Sequence, residues 1–218
     1  MFRATHVDLV AMLGLLCILG CGGGMMSLVF RKMGHDVFAV DCWKKIPQSD
    51  ANYVEASLER ERLETQGIHT VDLDIAEEPL PFEDNEFDVI LLLGVIEHLH
   101  GSPREPLKEI YRVLKRGGAV LVETPNLVNL KNRICILAGR SNYHKLVDYY
   151  DSTPFFGHVR EYTLNEIRQM LVWEGFDIKQ VKFRSDSYLL KARNFNKFRA
   201  SAGLLAFYLL ITTIVPKL

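Results

Sequence analysis

The chain has 218 residues, 48% of them hydrophobic and 24% charged, which excludes a disordered, fibrous or disulfide-stapled protein and suits one good-sized hydrophobic core. Its 26 basic and 27 acidic residues leave a formal charge of -1, so no global field draws it to nucleic acid, and no nucleic-acid partner is expected. Four cysteines, at 17, 21, 42 and 135, form no CxxC pair, which argues against structural zinc and for a reducing compartment, the cytoplasm; no metal site is assigned.

At the front, Leu13 to Leu19 is a continuous apolar run, too short to cross a bilayer and suited to a parallel strand buried on both faces. Only about a dozen residues precede it, so any N-terminal helix over a pocket is short or absent. Ile18-Leu19-Gly20-Cys21 resembles a lipoprotein lipidation box, but Asp8 weakens the required basic leader, and the run is needed as partner of the periodic segment that follows. A glycine turn, Gly20 to Gly24, leads into a helix over Met25 to Met33, and Val37 to Val40 forms a second strand ending in Asp41. Ser49 or Asp50 caps a charged helix to about Gln66, Gly67 stops it, and Ile68 to Val71 is a brief third strand.

Leu73 to Glu86, with Pro79 and Pro81, is a loop, and Phe87 to Leu93 a strongly buried fourth strand. Ser102, Pro103 and Glu105 open a helix to Lys115 that ends at Gly117-Gly118, before a fifth strand at Ala119 to Glu123. A short helical piece around Leu127 to Leu137 precedes an aromatic, glycine-interrupted loop. Thr163 and Glu166 then form a capping box for a helix to Glu174, and Phe176 to Phe183 is a further strand. Strand and helix alternate as in a Rossmann-like, doubly wound α/β sheet.

No acid follows Asp186, and Ala200 to Pro216 is uncharged. Residues 1–186 therefore read as one layered domain, and 187–218 as a basic, then apolar, helical segment. That segment packs on the domain, makes peripheral contact with a membrane, at its cytoplasmic face, assisted by the preceding Lys and Arg residues, or spans the membrane, for which its seventeen uncharged residues fall just short of the usual length.

Gly20, Gly22 and Gly24 sit where the first strand gives way to a helix, where the backbone turns with unusual dihedrals and approaches a ligand without a Cβ in the way. The third glycine of a dinucleotide fingerprint would fall on Met25, so the spacing favours a ligand with an adenosine but no pyrophosphate, and no P-loop is present. Asp41, closing the adjacent strand, can present its carboxylate to two vicinal ribose hydroxyls, or act as a turn aspartate. His98, just past the fourth strand, is placed to act as a general base near neutral pH or to brace the next helix, with Glu97 orienting it.

Together these segments resemble class I S-adenosylmethionine-dependent methyltransferases, in the small-molecule branch that includes the quinone-biosynthesis O-methyltransferases. The resemblance runs from Leu16 to Phe176 and rests on Ile18 to Gly24, Asp41, Asp72-Leu73-Asp74-Ile75 and Pro81 to Asp88. It continues through Val95-Ile96-Glu97-His98-Leu99, Arg112 to Gly118, Thr124-Pro125-Asn126 and Gly157 to Tyr162. It implies S-adenosyl-L-methionine as cofactor, with Gly20, Gly22 and Gly24 against its methionine part, Asp41 on the ribose, Asp74 on the adenine amine and Ile75 beside the ring. Cys42 and Trp43 would supply an apolar wall, although Trp43 equally suits a surface-helix anchor.

Asn126 and Tyr150 fall in the region of an acceptor pocket, where Tyr149, Tyr150, Phe155 and Phe156 suit a ring-bearing acceptor or a lid. His158 and Arg160 would meet an anionic acceptor, or hold their loop to Glu161. The acceptor implied is a small molecule, such as a hydroxyl of a lipid-linked, quinone-like or glycan compound. Two departures stand out. Ile18 occupies a position where the family has an acid, and the chain stops near where the final antiparallel strand would begin, which leaves that strand in question. The alternative function is a methyltransferase-like binding or scaffold protein with lost or reduced activity.

Overall fold

A computed structural model describes residues 14–43, 51–151, 155, 157–184 and 208–214. Its centre is a seven-stranded sheet in the order β3-β2-β1-β4-β5-β7-β6. The strands are β1 Leu15–Leu19, β2 Asp36–Asp41, β3 His69–Asp72, β4 Phe87–Leu93, β5 Leu114–Pro125, β6 Asp177–Arg184 and β7 Tyr208–Ile214. β1 to β5 are mutually parallel, and β7 runs antiparallel between β5 and β6. The helices are α1 Met25–Lys32, α2 Ala51–Thr65, α3 Arg104–Val113, α4 Leu130–Leu137, α5 Leu146–Tyr150 and α6 Leu164–Trp173.

The unbroken apolar runs of β1 and β4 follow from burial on both faces, because successive side chains of a strand point to opposite sides. Leu16, Ile18, Val89 and Leu91 join one core cluster with Phe30 of α1, Leu63 of α2 and Trp43. Cys17, Leu19, Ile90 and Leu92 join the other, with Leu107 and Ile110 of α3 and Ile167 and Leu171 of α6. Ile18, 3% exposed, is thus a core side chain. Each fully buried Leu or Ile in these layers contributes about 1.5–3 kcal/mol of transfer free energy.

The boundaries read from sequence hold closely for β4 and α1. The capping box of α6 is present, with the Thr163 hydroxyl accepting from the Glu166 N–H and the Glu166 carboxylate accepting from the Thr163 N–H. α3 ends two residues earlier than the periodicity suggests, because Leu114 is already in register with Phe87 as the first residue of β5. α5 lies inside what reads from sequence as loop.

The C-terminal expectation is corrected. Tyr208–Ile214 is not helical but a sheet strand, paired with Ala119–Pro125 of β5 on one side and with β6 on the other. The final antiparallel strand is therefore present. The β-branched Ile211-Thr212-Thr213-Ile214 suits a strand. Residues 185–207 lie outside the described residues. Among the described residues, no helix is long and apolar enough to cross a membrane.

The order reverses between β1 and β4, whose chain continuations leave the sheet to opposite sides. The carboxyl ends of β1, β2 and β4 therefore border a crevice where open α/β sheets take their ligands.

Candidate active site

The crevice is a cavity of about 790 Å³, within the size range of small-molecule sites. One wall is the glycine turn. Gly20 has φ +67°, and a Cβ on it would lie 2.4 Å from the side chain of Val95, so the strand end and the β4 loop meet there only through a glycine. Gly22, at φ +50°, has nothing within 4 Å of its Cβ position and faces the cavity. The turn is pinned to β2 by the Gly20 and Cys21 N–H groups, which donate to Val40 O at 2.8 and 3.2 Å. Arg62 of α2 holds it from the other side, donating to Gly23 O at 2.8 Å.

Asp41, the last residue of β2, lines the same wall. Its Oδ2 accepts the Gly22 N–H at 2.7 Å and its Oδ1 the Cys42 N–H at 2.8 Å, which fixes the carboxylate plane. Burial, and after it the charge of Asp41, push the Cys21 thiol well above the usual range, so this cysteine is a neutral hydrogen-bonding group rather than a nucleophile. Further along lie Asp74 and Ile75, where Asp74 Oδ1 accepts the Ala76 N–H at 2.8 Å and shapes the turn.

The opposite wall comes from the segment after β4. The Gly94 N–H donates to Glu123 O of β5 at 2.9 Å, and Ile96–His98 forms a single 3-10 turn closed by the His98 N–H on Val95 O. His98 lines the cavity, together with Leu99, His100 and Gly101. Its Nδ1 lies 3.2 Å from Gly157 O, and because a carbonyl only accepts, that contact places a proton on Nδ1 and leaves the neutral ring's lone pair on Nε2.

Glu97 is 2% exposed and is absent from the cavity wall. Its carboxylate accepts the Thr124 hydroxyl at 3.1 Å, and its carbonyl accepts the Val159 and Arg160 N–H groups at 2.7 and 3.2 Å. Burial pushes its carboxyl above the ordinary range. Through its carbonyl, Glu97 ties the loop at Val159 and Arg160 to the turn that carries His98, which accords with an orienting part for this residue rather than contact with the cavity.

Gly20, Gly22, Asp41, Cys42, Asp74, Ile75 and His98 meet around one cavity; other expected site residues do not. Trp43 turns from the cavity into the core, 7% exposed, with the Arg60 guanidinium 5.7 Å above its ring, so its reading as a cofactor wall is corrected. Gly24 supports the turn from below, its Cβ position 2.4 Å from Leu63.

Asn126 is buried outside the wall, its Oδ1 accepting the Val128 N–H and its backbone bridging Tyr162. Arg160 donates to Glu166 at 2.9 Å, its guanidinium 5.3 Å from the Tyr162 ring, and Tyr150 is 81% exposed. None of these three lines the cavity. His158 bonds Glu161 at 3.0 Å, a contact that raises its pKa above the ordinary value, and its ring meets His98 edge-on at 4.9 Å. It stands behind the wall. His100, which the sequence reading missed, is on it; the His98-Leu99-His100 spacing was the available signal.

Glu97, His98 and His158 each bring one donor atom within 4.8 Å of the others. Two imidazoles and a carboxylate form a donor set that can hold a divalent transition ion, a grouping hidden in the sequence because His158 is sixty residues from its partners.

A profile of the methyltransferase domain matches residues 2–122. The chain belongs to the methyltransferase-domain family. Among its relatives, a probable S-adenosylmethionine-dependent methyltransferase of Mycobacterium tuberculosis is 30% identical over 72% of this chain and 46% of that protein. The ubiquinone biosynthesis O-methyltransferase of Caulobacter vibrioides is 31% identical over 50% of this chain and 39% of that protein. The chain thus spans less than half the length of these curated relatives. The crystal structure of an S-adenosylmethionine-dependent methyltransferase from Mesorhizobium loti superposes with a TM-score of 0.63 at 16% identity, covering 93% of this chain and 90% of that one. The chain therefore has the class I Rossmann-like methyltransferase fold, with its cavity at the switch point of the sheet.

Proposed function

We propose that this methyltransferase moves a methyl group from S-adenosylmethionine to a hydroxyl of a small, apolar or lipid-linked acceptor, with His98 as the general base. The observation that carries the reading is the placement of the Gly22–Asp41 wall and the His98 wall on one cavity. Gly20 and Gly22 would lie against the methionine part, Asp41 would accept from the ribose hydroxyls, and Asp74 with Ile75 would meet the adenine. When bound, the cofactor supplies an electrophilic sulfonium methyl.

The chain's own work is then positioning, which can supply much of such a rate, and proton removal. Gly157 O holds His98 in the tautomer whose Nε2 can take the acceptor's hydroxyl proton. Leu99, Val95 and Ile75 give the cavity apolar surface that excludes water from the reacting oxygen. The Caulobacter relative is named an O-methyltransferase, which supports an oxygen nucleophile.

The decisive experiment incubates the chain with methyl-labelled S-adenosylmethionine and fractionated cell extract, followed by mass spectrometry of the labelled component. Label in a small apolar compound, lost in His98→Ala, is expected. A second reading, a binding or scaffold protein, is favoured by one observation: the buried Ile18 leaves the methionine end of the site without the family's acid. Cofactor binding with no transfer to any fraction would select it.

A further inference from the structure

We propose that the segment from α4 through α5 is a docking surface for an anionic lipid bilayer, which delivers the acceptor to the cavity from the membrane side. In this segment the apolar side chains point outward. Ile134, Leu137, Tyr143, Leu146 and Tyr150 are all exposed, Leu137 by 87%, although each is of a kind that a folded domain normally buries. Such tips, carried on short helices, insert into the boundary between headgroups and acyl chains.

Charge selects the occupant. From Leu130 to Tyr150 the single acid is Asp148 against four exposed bases, Lys131, Arg133, Arg140 and Lys145, interspersed along the segment with the apolar tips, in a chain whose formal charge is -1 overall. Cores of protein interfaces are depleted of lysine, so bases set among apolar tips match an anionic lipid surface better than a second protein. The apolar C-terminal run cannot fill this role along Tyr208–Ile214, since that strand is hydrogen-bonded on both sides within the sheet.

The surface also stands one residue layer behind the acceptor wall. The Tyr149 ring of α5 packs edge-on against Phe155 at 5.1 Å, and Phe155 O accepts from His100 Nε2 at 3.0 Å, with His100 on the cavity wall. His144, between the two helices, accepts the His158 N–H at 3.0 Å, and the His158 ring meets His98. A lipid-borne acceptor leaving the bilayer at this surface has a short path to His98. That last link, from surface to acceptor, rests on the transfer reading; the surface itself does not.

The test is flotation of the full chain with phosphatidylcholine vesicles, with and without about one-third phosphatidylglycerol. The wild type should float only with the anionic vesicles and be released by high salt. The Leu137→Glu/Leu146→Glu double variant should bind them about tenfold more weakly or worse, and Lys131→Glu/Arg140→Glu likewise. Because these side chains are exposed, circular dichroism and calorimetric affinity for S-adenosylhomocysteine should match the wild type in both variants. A wild type that stays with the lipid-free fraction, or a Leu137→Glu/Leu146→Glu protein that floats as well as the wild type, overturns the proposal. Light scattering that finds a dimer, split by that same double variant, assigns the patch to a second copy and also overturns it. Failure of the wild type to bind S-adenosylhomocysteine would instead count against the transfer reading, independently of flotation.

Discussion

Asp41 and Gly22 are nineteen residues apart and joined by a 2.7 Å hydrogen bond, the backbone N–H of the glycine turn donating to the carboxylate that closes the neighbouring strand. The bond makes the ligand-facing turn and the proposed ribose acid one unit, so Asp41→Ala removes a contact to the sugar and a brace of the loop together. S-adenosylhomocysteine affinity, measured by calorimetry, should fall about a hundredfold, the worth of two hydrogen bonds to a charged acceptor. Unchanged affinity would remove the ribose assignment.

His98 is held by Gly157 O and is near two other possible metal donors, so its substitution needs two readouts. As a base, His98→Ala should lower kcat by about a hundredfold to ten-thousandfold and leave S-adenosylhomocysteine affinity within about twofold. The pH–rate profile of the wild type should lose its acid limb in the variant, and a chelator should leave the wild-type rate unchanged. Abolition by chelator, with recovery on adding a divalent ion, would assign His98 to a metal centre with Glu97 and His158 instead.

What the sequence made legible was local. The β1 run, the glycine turn, Asp41 at the end of the next strand and the capping box at Thr163 each lie within a few residues of the pattern that betrays them. Trp43 shows where that logic stops. It follows Cys42, which lines the cavity, yet its ring turns into the core beneath Arg60 of α2, a contact that no periodicity in the 41–43 segment encodes. His158 likewise reaches His98 only because Glu97 O takes two N–H groups of the loop that carries it. α5 was hidden because its side chains are exposed on all sides, leaving no apolar stripe to read.

Acid should weaken the fold through Glu109. Arg112, which donates to it at 2.7 and 3.0 Å, holds its carboxyl below the usual range, and the same guanidinium serves Leu80 O, Phe82 O and Asp84 on the loop entering β4. The unfolded chain binds the proton more tightly than the folded one. This contribution is therefore fully present above the unfolded value of about 4.3 and lost as the pH falls through the lowered folded value. Urea unfolding from about pH 6 to pH 3 should show Glu109→Gln less acid-sensitive than the wild type, with Glu64 and Glu166, also lowered, supplying the rest. Arg112→Ala should cost about 2–3 kcal/mol at neutral pH, because two loop carbonyls and the carboxylates of Asp84 and Glu109 lose their donor together. Equal midpoints for wild type and Arg112→Ala would show that the loop is held by other contacts.

Truncation of the C-terminus separates a strand from a membrane tail. β7 is hydrogen-bonded along its length to β5 and to β6, so removing residues 200–218 strips the partner from both and leaves the edge of β5, from Ala119 to Pro125, unpaired. An exposed, flat, apolar strand edge templates association with other chains. The truncated protein should aggregate or unfold at low urea, with or without vesicles. Thr212→Pro should act in the same direction at smaller scale, costing about 3 kcal/mol or more, since residue 212 pairs with Leu121 on one side and Gln180 on the other and proline removes a donor from the ladder. A truncated chain that stays monomeric, folds with the wild-type urea midpoint and merely loses vesicle binding would mean that this segment is dispensable to the sheet and is the membrane contact after all.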